Sequence, residues 1–349
     1  MFWPRRPQDA PVSLQRRVLS PPTLVSLALA GAFLAFLVTR FDVDLGATWD
    51  QIGDSNPWYL ALALLVHYTT FLFRGARWRL LLQNTQLALT ASMDGGKAVP
   101  GMGYLAQLVL LGWFANSVAW FRLGDAYRAY LYRQEQGASF STAIGTILAE
   151  RALDTILVVA LLLAAVPFLI SGDSRAPGAV LALAVALLGL LGVGLLVMAW
   201  ARRWLVRRLP AWLGEGYQRF YDGALGSFRR LPQATLWGLL GWLAEVARLY
   251  LVAAALGLDL GLALVVFLTL ANSLLTLVPT PGGFGAVESG VAGLAVRLAA
   301  LPASAAAALV LVDRAISYLS VILVGAALFL VRQARGRRAE GRPAVTEQL

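Results

Sequence analysis

Runs of 17 or more mainly apolar residues recur along this chain of 349 residues, and they constrain its fold more than any other feature. A helix needs about 20 apolar residues to cross a hydrocarbon layer roughly 30 Å thick. With 59% of its residues hydrophobic and 14% charged, the chain reads as an all-α polytopic membrane protein. The expected spans are 22–38, 58–73, 104–121, 141–170, 178–200, 235–256, 262–278 and 302–331. Irregular backbone between them must be buried in protein or line water.

A net charge of +10 would suggest nucleic acid in a soluble protein. Here the basic residues gather beside spans, so no nucleic-acid partner is expected. Arg5, Arg6, Arg16 and Arg17 precede the first span, Arg202, Arg203, Arg207, Arg208, Arg219, Arg229 and Arg230 fill the central segment, and Arg332, Arg335, Arg337, Arg338 and Arg342 follow the last. The positive-inside rule puts all three groups, and so both termini, in the cytoplasm. Asp42, Asp44, Asp50 and Asp54, with no Lys or Arg among them, fit the opposite side. The chain has no Cys, which excludes disulfides and thiolate metal sites. No small-x-small cleavage site follows the first apolar run, which reads as a retained signal anchor.

These anchors make 104–121 begin and end on the cytoplasmic side, and 262–301 begin and end outside. Each is therefore expected to be a re-entrant hairpin, the first built from 87–121 and turning at Pro100-Gly101-Met102-Gly103, the second turning at 279–283. That leaves about six full transmembrane helices plus two re-entrant hairpins. The halves, about 58–170 and 235–331, share a pattern: Asp125 to Arg151 and Glu288 to Arg314 are both 26 residues apart, Asn116 and Asn272 precede them, and Arg74 and Arg77 have a looser counterpart in Glu245 and Arg248. Opposite topologies would make these inverted repeats, an arrangement whose substrate site lies at the midplane between broken helices. Between them, 201–231 reads as interfacial amphipathic helices broken near Pro210 and Gly214-Glu215-Gly216. Residues 1–21 and 332–349 are basic cytoplasmic ends.

Charges in spans cost about 2.5–3.5 kcal/mol each on insertion scales, so those present are candidates for function. Gly124 permits a turn, Asp125 is expected as the N-cap of a helix from Ala126, and Arg122 and Arg128 converge beside it, a chemistry suited to an anion. Glu150 and Asp154 share a helical face, with Arg151 able to pair with Asp154 and with Arg77 or Arg128 able to bridge to the remaining carboxylate. In Pro279-Thr280-Pro281-Gly282-Gly283-Phe284-Gly285-Ala286-Val287-Glu288 the prolines stop a helix and the glycines allow close backbone approach, so exposed amides there can bind phosphate. Asp313 and Arg314 complete that site. His67, the sole His, is expected to be a hydrogen-bonded interior residue, and the Trp residues, among them Trp49, Trp58, Trp113 and Trp200, to be interface anchors.

The strings Arg74-x-x-Arg77-Trp78, Asn116 with Arg122-x-Gly124-Asp125-x-x-Arg128, Glu150-Arg151-x-x-Asp154, and Pro279-x-Pro281-Gly282-Gly283-x-Gly285-x-x-Glu288 resemble the flippase-like transmembrane domain of the lysylphosphatidylglycerol synthase family. The resemblance covers about residues 24–331. It implies a bacterial or archaeal inner-membrane protein handling phospholipid or lipid-linked sugar. No soluble aminoacyl-transfer domain is present up to Leu349, so the expectation is a stand-alone member that is not an enzyme, a lipid translocase needing no cofactor or metal. The substrate would be a membrane phospholipid or lipid-linked headgroup. The alternatives are a membrane enzyme acting on a lipid phosphate or polyprenyl-linked sugar, with Asp125 or Glu150 as general base, and a non-transporting partner of a separate lipid-modifying enzyme.

Overall fold

In the computed structural model, residues 44–89, 98–118, 123–169, 176–208, 210–276, 278 and 280–340 are described, and all regular structure among them is helical. The expected first span, Arg122, Pro279 and both chain ends lie outside these residues. The helices, in order, are α1 Leu45–Gly53, α2 Pro57–Leu89, α3 Met102–Val118, α4 Gly124–Gln136, α5 Phe140–Leu169, α6 Ala176–Arg208, α7 Ala211–Gly226, α8 Leu231–Ala255, α9 Leu262–Leu275, α10 Ala286–Ala299, α11 Ala303–Arg314 and α12 Ser320–Glu340. A π-helical turn, Ala315–Leu319, joins the last two.

Four stretches are long and apolar enough to cross a membrane: Pro57–Gln86, Ala184–Arg202, Ala211–Ala255 and Ala303–Ala334. α5, with 30 residues, has the length but carries Glu150, Arg151 and Asp154. By contrast α9 and α10, of 14 residues each, extend only about 21 Å, short of the roughly 30 Å hydrocarbon layer.

Two main cores hold the helices. Leu105, Leu108, Leu111, Ile147 and Val321 join α3, α5 and α12 to α2, whereas Leu249, Val265, Val291 and Leu309 join α8 to α11. α2 and α8 lock the halves together in antiparallel contact, with Gly238 of α8 against the Arg77 side chain and Gly241 against that of Arg74. Glycines permit such approach because nothing projects from their Cα.

Three expectations about element boundaries are corrected. The span expected to end at Phe73 continues as a 33-residue helix to Leu89, and Arg74 and Arg77 are buried along it. Carboxylates on α5 supply the partners that let the helix continue inward. The first hairpin does not turn at 100–103. Residues 87–89 are the end of α2, Pro100 O accepts from Arg79 Nε at 3.1 Å, and the paired helices are α3 and α4; residues 119–122 between them lie outside the described residues. A Cβ on Gly124 would stand 1.9 Å from Gly112 O, so only glycine lets these two helices meet. Finally, Gly214-Glu215-Gly216 lies within α7 and does not break it. α7 packs on α5 instead of only lying on a leaflet: a Cβ on Gly223 would come 2.5 Å from Thr142 O, and one on Gly145 2.1 Å from Phe220 O. The expected break at Pro210 is present, since that residue caps α7.

Candidate functional site

In the N-terminal half, Glu150 and Asp154 project from one face of α5 toward Arg77 on α2. Arg77 donates to Glu150 at 2.9 Å and to both oxygens of Asp154 at 2.8 and 3.0 Å. Arg128, on α4, donates to the second Glu150 oxygen at 2.7 Å, with its guanidinium 4.8 Å from the Trp78 ring centroid. Both sequence-expected bridges to Glu150 are thus present at once. Such burial is tolerable because every charge meets an opposite charge with hydrogen-bond geometry.

Asp125 is not the N-cap that the sequence suggested. α4 starts at Gly124 with Leu123 at the cap position, and Asp125 takes a two-bond clasp from Arg151 at 3.0 and 3.1 Å. The Gly124 amide is met by Asn116 Oδ1 at 2.7 Å. An ion pair with a guanidinium outweighs a neutral amide contact, so Arg151 claims the carboxylate.

The C-terminal half repeats this arrangement. Glu288 accepts from Arg314 Nε at 2.6 Å, across the same 26-residue interval as Asp125 and Arg151. Arg248 on α8 donates to Glu245 at 3.1 Å and also pairs with Asp313, much as Arg77 reaches Asp154. The loop between α9 and α10 holds Gly282, Gly283 and Gly285 at φ of 60°, 70° and 93°, the left-handed region where a Cβ is strained.

The glycine loop uses part of its polar backbone internally. Gly283 N donates to Thr280 O at 3.1 Å, Gly285 N to Glu288 at 2.5 Å, and Gly282 O accepts from Arg314 at 3.0 Å. The Gly283 and Gly285 amides are thus engaged internally, while Gly282 lines the cavity. What the loop does is hold Arg314 and press Gly282 against the Tyr318 ring, where a Cβ would meet a ring carbon at 2.1 Å. Pro281 opens this short turn.

The two clusters face one cavity of about 380 Å³. Its walls bring Asn116, Asp125, Arg151 and Asp154 from the first half opposite Glu245, Arg248, Asn272, Gly282 and Arg314 from the second. Tyr318, on the π-helical turn, crosses between the halves and donates to Ser117 O at 2.9 Å. Arg77, Arg128, Glu150, Glu288 and Asp313 are buried supports behind the walls.

Arg74 differs from its neighbours. It lines the cavity and sits 5.0 Å from the Trp113 ring centroid and 5.7 Å from that of Trp242. Its ion pair among the described residues is a long one, 3.8 Å to Asp154, and its Nε has no hydrogen-bond partner. Asn272 Oδ1 and Glu245 Oε1 are likewise unpartnered on the facing wall.

Sequence reasoning did not assign Glu245 and Arg248 to the site, although an i, i+3 Glu–Arg pair in an apolar helix was a usable signal. It also misplaced the Trp113 indole. Trp113 lines the cavity instead of anchoring at an interface, while Trp242 donates to Asp154 at 3.2 Å. Trp49, Trp58 and Trp200 are exposed, as anchors should be. His67 is fully buried as expected, but neither ring nitrogen has a hydrogen-bond partner among the described residues. It is held by aromatic rings instead.

The family model described as the lysylphosphatidylglycerol synthase TM region matches residues 23–325. The chain belongs to this family. Similar members include the UPF0104 membrane protein MJ1078 of Methanocaldococcus jannaschii, 30% identical with 62% of this chain and 94% of that protein covered. A UPF0104 membrane protein of Methanothermobacter thermautotrophicus is 25% identical over 81% of this chain and 88% of its own length. No solved structure matches. The family membership and the apolar helices make this a multi-pass membrane protein.

One further relative overturns an expectation. The glycosyltransferase AglD of Haloferax volcanii is 24% identical over 90% of this chain, which spans 55% of that protein. A relative named for an enzyme, matched along nearly the whole chain, removes the basis for reading this family member as a non-enzyme.

Proposed function

We propose that the protein handles membrane lipids by taking a phosphate-bearing or lipid-linked headgroup into the cavity between its two hairpins, and that it carries the headgroup between leaflets. The observation that carries this reading is Arg74, a buried cation on the cavity wall held between two indoles with only a long ion pair. Each of the other arginines of the two clusters is hydrogen-bonded to a carboxylate. A buried charge with so distant a partner is costly at that depth, and an incoming phosphate offsets the cost. Asn272 and Glu245 on the facing wall offer acceptors to the rest of the headgroup.

The common 26-residue interval of the two acid–Arg clasps and the two short helix pairs support an inverted repeat of about residues 58–170 and 235–331. The flanking arginines support cytoplasmic termini in a bacterial or archaeal inner membrane.

Transport of fluorescent phosphatidylglycerol in proteoliposomes tests the reading. Arg74→Gln should lower the rate at least tenfold, the scale of one charge-assisted hydrogen bond of about 1.5–3 kcal/mol, while the protein still inserts. An unchanged rate would sink it. The relationship to the glycosyltransferase AglD favours a second reading, participation in glycosyl transfer to a lipid carrier. Mass spectrometry of the lipids in the same vesicles separates the two, because transfer changes lipid mass and movement does not.

A further inference from the structure

His67 is the one imidazole in the chain, and it plays no part in the binding scheme above. It is fully buried, with both ring nitrogens unpartnered among the described residues. Tyr68, Phe71 and Trp113 surround it at ring-centroid distances of 5.5, 5.4 and 6.2 Å. A neutral imidazole always carries one N–H and one lone pair, so both are unsatisfied here, a costly state in the interior.

The α2–α8 register shows what lies beside it. Arg77 meets Gly238 and Arg74 meets Gly241 in antiparallel contact, so stepping back two turns from Arg74 on α2 and forward two turns on α8 brings His67 level with Arg248 and one turn from Glu245. Ala63, one turn further on, shares a core with Val252, which continues the same register. By this register the charged groups beside His67 are Arg248, level with it, and Glu245, one turn away, with Arg74 two turns along α2. From α11, Asp313 bears on the group through its pair with Arg248. Tyr68, on the same helix, has its hydroxyl occupied by Ser320 at 3.1 Å. Glu245 gives one oxygen to Arg248, and its other oxygen is unpartnered.

We infer that His67, behind the cavity wall, and Glu245, on it, form a proton-binding site, and that proton uptake there is coupled to arrival of an anionic headgroup at Arg74. The coupling rests on the proposed function. Arg74 and His67 lie on one face of α2, two turns or about 10 Å apart, and both pack on Trp113. The Arg74 charge opposes imidazolium formation by on the order of tenfold at an effective dielectric constant of about 20. A phosphate that neutralises Arg74 removes that opposition, and by linkage a protonated His67 strengthens phosphate binding by the same factor.

The full chain, labelled with ¹⁵N in its single imidazole and placed in phosphatidylcholine nanodiscs with or without phosphatidylglycerol, gives one ring spectrum to titrate between about pH 4 and 9. Glu245→Gln should reduce the imidazolium-to-imidazole ratio at a given pH about tenfold, and Arg74→Gln should raise it about tenfold. Phosphatidylglycerol should raise it in the wild type and leave Arg74→Gln unmoved. A ratio indifferent to Glu245→Gln overturns the proton site. Native mass spectrometry of the same samples reads lipid retention. Phosphatidylglycerol retained with no change in the wild-type ratio overturns the coupling. If it is not retained, the headgroup reading and the coupling fail together, while the Glu245→Gln arm still decides the proton site.

Discussion

At the residue scale, the arginines divide by what they already hold. Arg77 is engaged by two carboxylates through three hydrogen bonds, so removing its charge leaves Glu150 with Arg128 alone and Asp154 with only the longer ion pairs to Arg74 and Arg151, at 3.8 and 3.7 Å. Arg77→Gln should therefore cost roughly 3–5 kcal/mol of stability, seen as a large fall in thermal unfolding temperature in detergent. Arg74→Gln removes only a long ion pair and two cation–π contacts. It should cost about 1–2 kcal/mol, with its main effect on headgroup binding. Equal destabilisation by the two variants would contradict this division of roles. From sequence, Arg77 was one of two candidates to bridge to an α5 carboxylate, but no linear pattern reveals that α5 presents both of its carboxylates to it from 73 and 77 residues away. The local relations were legible: Glu150 and Asp154 on one face, and Arg151 within reach of Asp154, at 3.7 Å in the fold. Asp125 was misread as a cap because a nearby helix start is visible in sequence and a distant guanidinium is not.

At the element scale, backbone contact between helices depends on a few glycines. A Cβ at Gly124 would meet Gly112 O at 1.9 Å, whereas one at Gly112 would meet Gly124 O at 3.0 Å. Gly124→Ala should thus separate α3 from α4 and destabilise by roughly 1–3 kcal/mol or more, with Gly112→Ala well below it. Thermal melts of the two variants in one detergent compare them directly, and a reversed order would refute the packing. Gly282 carries two constraints, φ of 60° and contact with the Tyr318 ring. Trimming the ring in Gly282→Ala/Tyr318→Ala should relieve the clash and leave about 1–2 kcal/mol of backbone strain. Prolines and glycines made the second helix break readable in sequence. The first was assigned to Pro100–Gly103, a string of strong punctuation that in the fold leads into α3.

At the scale of the whole molecule, the two acid–Arg clasps bound one cavity from opposite halves, and Tyr318 ties the halves together through Ser117. Alternating access between repeats of opposite orientation requires their connecting loops to face opposite sides of the bilayer. The chain has no Cys, so single substitutions report sidedness without background. Gln134, near the end of α4, and Asp259, in the loop between α8 and α9, are both exposed. The distribution of arginines predicts that Gln134→Cys reacts with a membrane-impermeant maleimide only when the cytoplasmic side is open, and that Asp259→Cys reacts from outside in intact cells. Labelling of both from one side would rule out opposed halves and leave the matched clasps as a repeat in parallel orientation. Labelling from opposite sides would mean that a headgroup held at Arg74 lies between two hairpins approaching from different leaflets, the geometry that movement between leaflets requires.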